Sequence, residues 1–205
     1  MARRSEHSKA EIREMVLIAA QSIVEAEGLA GLSARKIAKR IGYTVGTLYL
    51  VFRNLDDLVL HVNARTLDAL FDKMQQSIQK CRQPRTCVVA MGRAYVQFAT
   101  ENPNLWNMVF EHQLAEGEQL PHWFAEKVNK MFQLVETQLT PLLENQSEKK
   151  IDLVSKTIWC GVHGICSLAV TGKLDIGNAE SINVLTDSLI NNYLAGLTMA
   201  MKGEQ

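Results

Sequence analysis

Between Ser33 and Arg53 the chain carries five bases, Arg35, Lys36, Lys39, Arg40 and Arg53, and no acid. Within that block lies Thr44-Val45-Gly46-Thr47-Leu48-Tyr49. The chemistry open to these residues is recognition and not bond-making. Cations neutralise phosphates, and hydroxyls hydrogen-bond to phosphate oxygens or base edges. Small residues at Val45 and Gly46 let a helix N-terminus, with its free N–H groups and dipole, come close to an anion. Thr47 is suited to a base or a phosphate, and Tyr49 can offer its phenol to a phosphate. Catalysis has no such grouping: there is no Ser-His-acid order in motif context, no glycine-rich phosphate loop and no pair of carboxylates in an apolar setting. No metal or cofactor is expected either, because His112, His122 and Glu111 form only a loose cluster and Cys160 and His163 fall on different faces of one helix.

Four predicted helices would position this block. Ser8 and Glu11 make a capping box for the first, which keeps Ile12, Val16, Ala19, Ala20 and Ile23 on one face until Gly28. Ser33 caps the second, with Leu32 and Ile37 in staple positions. Gly42 supplies a left-handed turn, and Thr44 is expected to cap a short third helix, with Tyr43 and Leu48 as its staple. Asn54 and Asp57 then start a long fourth helix, Leu55 to about Gln79. A tight glycine turn between two short helices, supported by a preceding one, is a helix-turn-helix, whose second member enters the DNA major groove. The small core beneath it would be built from Ile41, Leu48 and Phe52.

The chain of 205 residues is 47% hydrophobic and 21% charged, enough apolar material for a full core. Its net charge is zero, yet up to residue 66 ten bases face seven acids, so the positive excess is N-terminal. The charged N-terminus and the lack of an uninterrupted apolar run of membrane length predict a cytoplasmic protein with no membrane segment. Cys81, Cys87, Cys160 and Cys166 form no CxxC pair and read as buried reduced thiols.

Residues 12 to 60, above all LSARKIAKRIGYTVGTLYLVFRNLDDL, resemble the N-terminal DNA-binding domain of the tetracycline-repressor (TetR) family of bacterial regulators. The order Ala38, Gly42, Thr47, Tyr49, Phe52 and Leu58 follows the family signature. The resemblance implies DNA contact at Arg35, Thr44, Val45, Gly46, Thr47 and Tyr49. One departure stands out: Leu55 occupies the position of the family's phosphate-gripping lysine, with Leu50 and Val51 at neighbouring polar positions. The contact is therefore expected to move to Arg53, Lys36 or the arm bearing Arg3 and Arg4.

The rest of the chain reads as further helices. Val88, Met91, Tyr95 and Phe98 share a face; Leu105 to Phe110 form a short apolar run; and Phe124, Val128, Met131, Phe132, Val135 and Leu139 share another. Such stripes ordinarily make core. The resemblance implies that part of them lines a small-molecule cavity, with Tyr95, Phe98, Trp106, Phe110, Met131, Trp159 and His163 as candidate effector contacts. From Ile151 to Leu174 three faces emerge: an aliphatic stripe, a face with Trp159, His163, Cys166 and Val170, and a seam of small residues at Thr157, Cys160, Gly164, Ser167 and Thr171. Small seams admit a close partner helix. With Leu189, Tyr193 and Leu197 from a last helix beginning at Asn178 or Ser181, the seam is the expected dimer interface. His163 reads either as a hydrogen-bonded core group or as the polar anchor of a pocket. Trp159 with His163-Gly164 resembles a Trp-His-Gly pattern of one C-terminal domain type in the family.

The expected protein is all-α, with a helix-turn-helix domain over residues 1–54 and a helical effector-binding and dimerisation domain over 55–205. Its expected function is that of a homodimeric transcriptional repressor, no enzyme, which binds a palindromic double-stranded DNA operator and is released by a small apolar or aromatic effector. The signal would pass through the orientation of the fourth helix, as the only continuous link, or through the dimer axis. The alternatives are a DNA-binding regulator without an effector, and a helical binding protein or enzyme with an incidental basic hairpin.

Overall fold

A computed structural model of the chain describes residues 7–114, 116–174 and 179–203. Arg3, Arg4 and Asn178 lie outside the described residues. Nine α-helices are described, with no strand among them: α1 (Lys9–Glu27), α2 (Ala34–Ile41), α3 (Val45–Leu48), α4 (Leu55–Ile78), α5 (Pro84–Glu101), α6 (Pro103–Glu111), α7 (His122–Leu139), α8 (Glu148–Val170) and α9 (Ala179–Gly203). The chain is all-α, as its periodicity requires.

The N-terminal unit comprises residues up to Leu67 together with Asn102–Phe124. Its helices start where side chains satisfy free backbone donors. The Ser8 amide donates to Glu11 Oε2 at 2.6 Å while the Glu11 amide donates to Ser8 Oγ at 3.2 Å. Ser33 Oγ accepts from the Lys36 amide at 3.3 Å, and Asn54 Oδ1 from the Asp57 amide at 2.8 Å. Gly42, with φ 75° and ψ 23°, closes α2 in the left-handed conformation that a β-carbon disfavours. Thr44 departs from expectation: its side chain accepts from no backbone amide of α3, and its hydroxyl lies 3.1 Å from that of Thr47. Val16, Ile23, Ile37, Leu48, Phe52, Leu58 and Val62 form one apolar cluster that also takes in Leu105 and Met108 of α6. The Asn104 side chain ties α6 to α1 by donating to the Glu25 carbonyl at 2.9 Å.

These contacts redraw the division expected at residue 54. The first half of α4 and all of α6 belong to the N-terminal unit, and Leu58, Val62, Leu105 and Met108 join its core, because a three-helix motif this small cannot bury its own apolar faces. The second unit holds Asp68–Glu101 and Ala125–Gln205. Both α4 and α7 contribute residues to each unit, so α4 is not the sole continuous link.

In the second unit α5, α8 and α9 pack closely. Glycines permit this. A β-carbon at Gly92 would stand 2.5 Å from Ile190 Cδ1, and one at Gly161 2.5 Å from Leu189 Cδ2. The buried line of α9 is Ile182, Thr186, Ile190 and Leu194, with Thr186 and Ile190 over Gly92 of α5. Helix α8 is long and apolar enough to cross a bilayer by length and composition, but Val154, Ile158 and Val162 are buried against its neighbours. Burial pushes the thiols of Cys87 and Cys166 up, to about 11 and about 12, which leaves them unreactive. The other two correct the expectation of four buried thiols: Cys81 is half-buried, and Cys160 is exposed on the small-residue face of α8.

Trp106 is 3% exposed in the N-terminal unit. Trp106→Ala is therefore expected to lower stability by about 3–5 kcal/mol, the usual cost of emptying a large aromatic site. Urea unfolding checks this, and an unchanged midpoint would return the residue to a ligand-contact role.

Candidate nucleic-acid interface and apolar cavity

Helix α3 is a single turn, too short to be stable by itself. It is held from below. Leu48 and Phe52 are 2% and 4% exposed, and Val45, Val51 and Leu55 pack against the same cluster. Sequence reasoning overlooked Arg13, whose guanidinium lies 4.3 Å from the centre of the Phe52 ring and donates from Nη1 to the Val51 carbonyl at 2.8 Å. A base on α1 at the i+4 position from Lys9 gave no signal of this, because its partner is a backbone carbonyl far along the chain. Tyr43 is bonded to His7 Nδ1 at 2.7 Å, so the turn is also fastened to the start of the described chain.

With the apolar residues turned inward, the polar ones are left outside. Arg35, Lys39, Arg40, Thr44, Gly46, Tyr49 and Arg53 are exposed, and Val45 and Thr47 are half-buried. Among the described residues Arg35, Lys39 and Arg40 make no ion pair, so their charge is available to an anion. Lys36 is committed to Glu27. Arg53 is 76% exposed at the side chain and lies 3.9 Å from Asp57. Leu55 serves packing, which accounts for its type: in place of a cation it extends the core beneath α3. The neighbouring acids are engaged, Asp56 with His112 Nε2 at 2.9 Å and Asp57 with the Arg53 amide at 2.9 Å. The result is an uncancelled basic rim around a small, uncharged reading turn.

The candidate effector residues are divided between the two units. Trp106 and Phe110 belong to the N-terminal unit, where their rings lie 5.0 Å apart. Tyr95, Phe98, Met131, Trp159 and His163 belong to the second unit. There a cavity of ≈ 40 Å³ is lined by Met91, Tyr95, Val135, Ser155, Ile158 and Trp159 among others, but not by Phe98, Met131 or His163. It has room for a few waters, whereas a typical ligand pocket measures roughly 300–1,000 Å³. His163 stands behind two of its walls: its Nδ1 is 3.0 Å from the Tyr95 hydroxyl and its ring lies 5.1 Å from that of Trp159. Burial lowers the pKa of His163, so the ring is neutral at pH 7.

The small-residue seam of α8 is uncovered. Thr157, Cys160 and Thr171 are exposed, Gly164 and Ser167 are half-buried, and the space around a β-carbon at Gly164 is open. Leu189 lies over Gly161 within the same subunit, and Tyr193 and Leu197 are half-buried.

Residues 88–193 match the model of the tetracyclin repressor-like C-terminal domain, and residues 16–62 match that of bacterial regulatory proteins of the tetR family. The chain belongs to the TetR family. It is 30% identical over 94 residues to the HTH-type transcriptional regulator YobS of Bacillus subtilis, an alignment covering 46% of this chain and 49% of that relative. This TetR chain thus spans about half the length of that curated relative. Its fold is shared with a protein of unknown function from Rhodococcus sp. RHA1, at a TM-score of 0.76 and 20% identity, covering 95% and 98% of the two chains. It is also shared with the transcriptional regulator FadR of Bacillus subtilis, solved in complex with stearoyl-CoA, at a TM-score of 0.66 and 16% identity over 89% and 98%.

The geometry separates a cation from a phenol. Arg35→Ala is expected to weaken binding to all duplexes alike and to reduce the salt slope by about one, as loss of one phosphate contact does. Tyr49→Phe should weaken binding with the salt slope unchanged, since no charge is lost. Fluorescence anisotropy on labelled duplexes across salt concentrations measures both, and full affinity in both variants would remove α2 and α3 from the interface.

Proposed function

We propose that this chain is a homodimeric transcriptional repressor that reads a palindromic operator with α2 and α3 and leaves it when a small effector enters the second unit. The observation carrying the DNA-binding part is the unpaired basic rim around an exposed, uncharged one-turn helix. Family membership supports the same reading. In that reading Arg35, Thr44, Val45, Gly46, Thr47, Tyr49 and Arg53 face DNA, and Lys36 does so only by leaving Glu27. Selection of duplexes from a random pool is the direct test, and failure to enrich any sequence at low salt overturns the proposal.

Dimerisation is supported by the bare seam on α8. Leu153 and Leu168, 56% and 45% exposed, lie at its two ends on the same face, so the stripe is apolar as well as small. A two-fold partner laying its own α8 and α9 there would bury both, giving a four-helix isologous interface. The operator half-sites would then be about 34–36 Å apart or a multiple of that. Gly164→Leu is expected to hold the partner helices apart and shift the wild-type dimer to monomer in sedimentation at micromolar concentration. A monomeric wild type would overturn the interface.

The part of the effector held in the cavity would be largely apolar, since the lining is apolar apart from the Tyr95 and Ser155 hydroxyls and the Trp159 indole N–H, and burial disfavours a charge on the neighbouring His163. FadR's complex with stearoyl-CoA supports a long acyl or similar apolar group. Such a ligand exceeds the ≈ 40 Å³ of this cavity, so it would bind a second state in which the space is wider. That requirement supplies the mechanism: a ligand shifts DNA affinity only by preferring a state in which the reading helices are wrongly spaced, with α4 and α7 as the elements common to both units. The small cavity equally favours a regulator with no effector. Thermal-shift screening with acyl-CoAs and single-ring phenols separates the two. A stabilising compound should lower operator affinity, and Trp159→Ala should keep operator binding while losing that response. If no compound stabilises the protein, the effector-free reading stands.

A further inference from the structure

We propose that Leu50 is a base-reading residue that recognises the C5-methyl group of thymine in the major groove; this rests on the DNA-binding reading above. Leu50 is 67% exposed, the most exposed of the large apolar side chains described in the N-terminal unit. Its direction is fixed by the backbone. The Leu50 amide donates to the Thr47 carbonyl at 3.3 Å and the Phe52 amide to the Leu48 carbonyl at 2.9 Å, so the winding of α3 continues past its last helical residue. Leu48 and Phe52 then share the buried inner face, Val45 is half-buried at its edge, and Gly46, Thr47 and Leu50, at spacings of three and four, share the outer one. Among the described residues a β-carbon at Gly46 would meet only Thr44 Oγ1, at 3.8 Å, so the outer face is open there.

The composition of this face selects its target. From Thr44 to Val51 there is no Arg, Lys, Asn, Gln, Asp or Glu. The side chains that pair bidentately with guanine or adenine, or accept from cytosine, are therefore missing from the reading turn. What it presents is hydroxyls, a phenol, the half-buried Val45 and one exposed aliphatic side chain, Leu50. The thymine methyl is the one apolar group that a base pair displays in the major groove. An exposed leucine set among cations that bind phosphate gains by covering that methyl, and gains nothing over a G·C pair. The inference names the operator chemistry: each half-site carries a thymine at the step facing Leu50.

The test uses the full-length protein and the duplex it selects from a random pool. Each thymine is replaced in turn by deoxyuridine, which removes the methyl group and leaves every hydrogen-bonding edge intact. Wild type should lose about fourfold in affinity at one thymine per half-site, the equivalent of about 0.8 kcal/mol for one buried methyl. Leu50→Ala, which removes the contact from both half-sites of the dimer, should bind the thymine duplex more weakly by the square of that factor, about sixteenfold, and be indifferent to deoxyuridine at that position only. Its thermal midpoint should match that of wild type, because the side chain is exposed. A selected duplex with no deoxyuridine-sensitive position, or a sensitivity that Leu50→Ala retains in full, overturns this inference and leaves DNA binding standing. A wild type that selects no duplex overturns both.

Discussion

The burial of Leu48 and Phe52 beneath a four-residue helix is the constraint on which the DNA-facing surface depends. One helical turn fixes its backbone for almost no hydrogen bonding, so α3 exists only because its inner side is part of a core built by α1, α2, α4 and α6. Arg13 closes the arrangement from α1 by covering the Phe52 ring and holding the Val51 carbonyl. A guanidinium engaged twice in this way is a positioning group, and its charge contributes to the surface only secondarily.

That constraint also explains how the basic block keeps its charge. Gly42 turns the chain in the left-handed region so that α2 and α3 show their outer faces together. The acids nearest in sequence, Asp56 and Asp57, lie at the start of α4, where free backbone N–H groups and the dipole favour them. There they are occupied by His112 and by the Arg53 amide. Exposed ion pairs contribute little to stability, and leaving Arg35, Lys39 and Arg40 unpaired is correspondingly inexpensive for the fold.

In the second unit the governing feature is close approach. Glycine at positions 92 and 161 lets Ile190 and Leu189 sit directly on α5 and α8. The same tightness leaves a cavity too small for a typical ligand, with a neutral His163 and Tyr95 bonded to each other at its edge. A polar pair already satisfied internally must exchange that bond for one to a ligand. Selectivity would then fall on molecules able to replace it.

By itself the sequence determined the local elements. Caps at Ser8, Ser33 and Asn54, the glycine at 42 and the 3.6-residue periodicity are short-range signals, and each works through backbone atoms within four residues. The family resemblance, carried by the same residues, was legible for the same reason. Tertiary structure alone decided which of two apolar flanks on α9 is buried, because both have helical periodicity and only the fit over Gly92 selects the line through Thr186 and Ile190. It also decided that Trp106 is buried, in a helix of the N-terminal unit, while Trp159 lines a cavity in the second. Both are tryptophans on apolar helix faces, and nothing within a few residues distinguishes them. Arg13 and Leu50 were missed on the same grounds: the partner of the first lies 38 residues away, and the exposure of the second is a property of the packed turn and not of leucine.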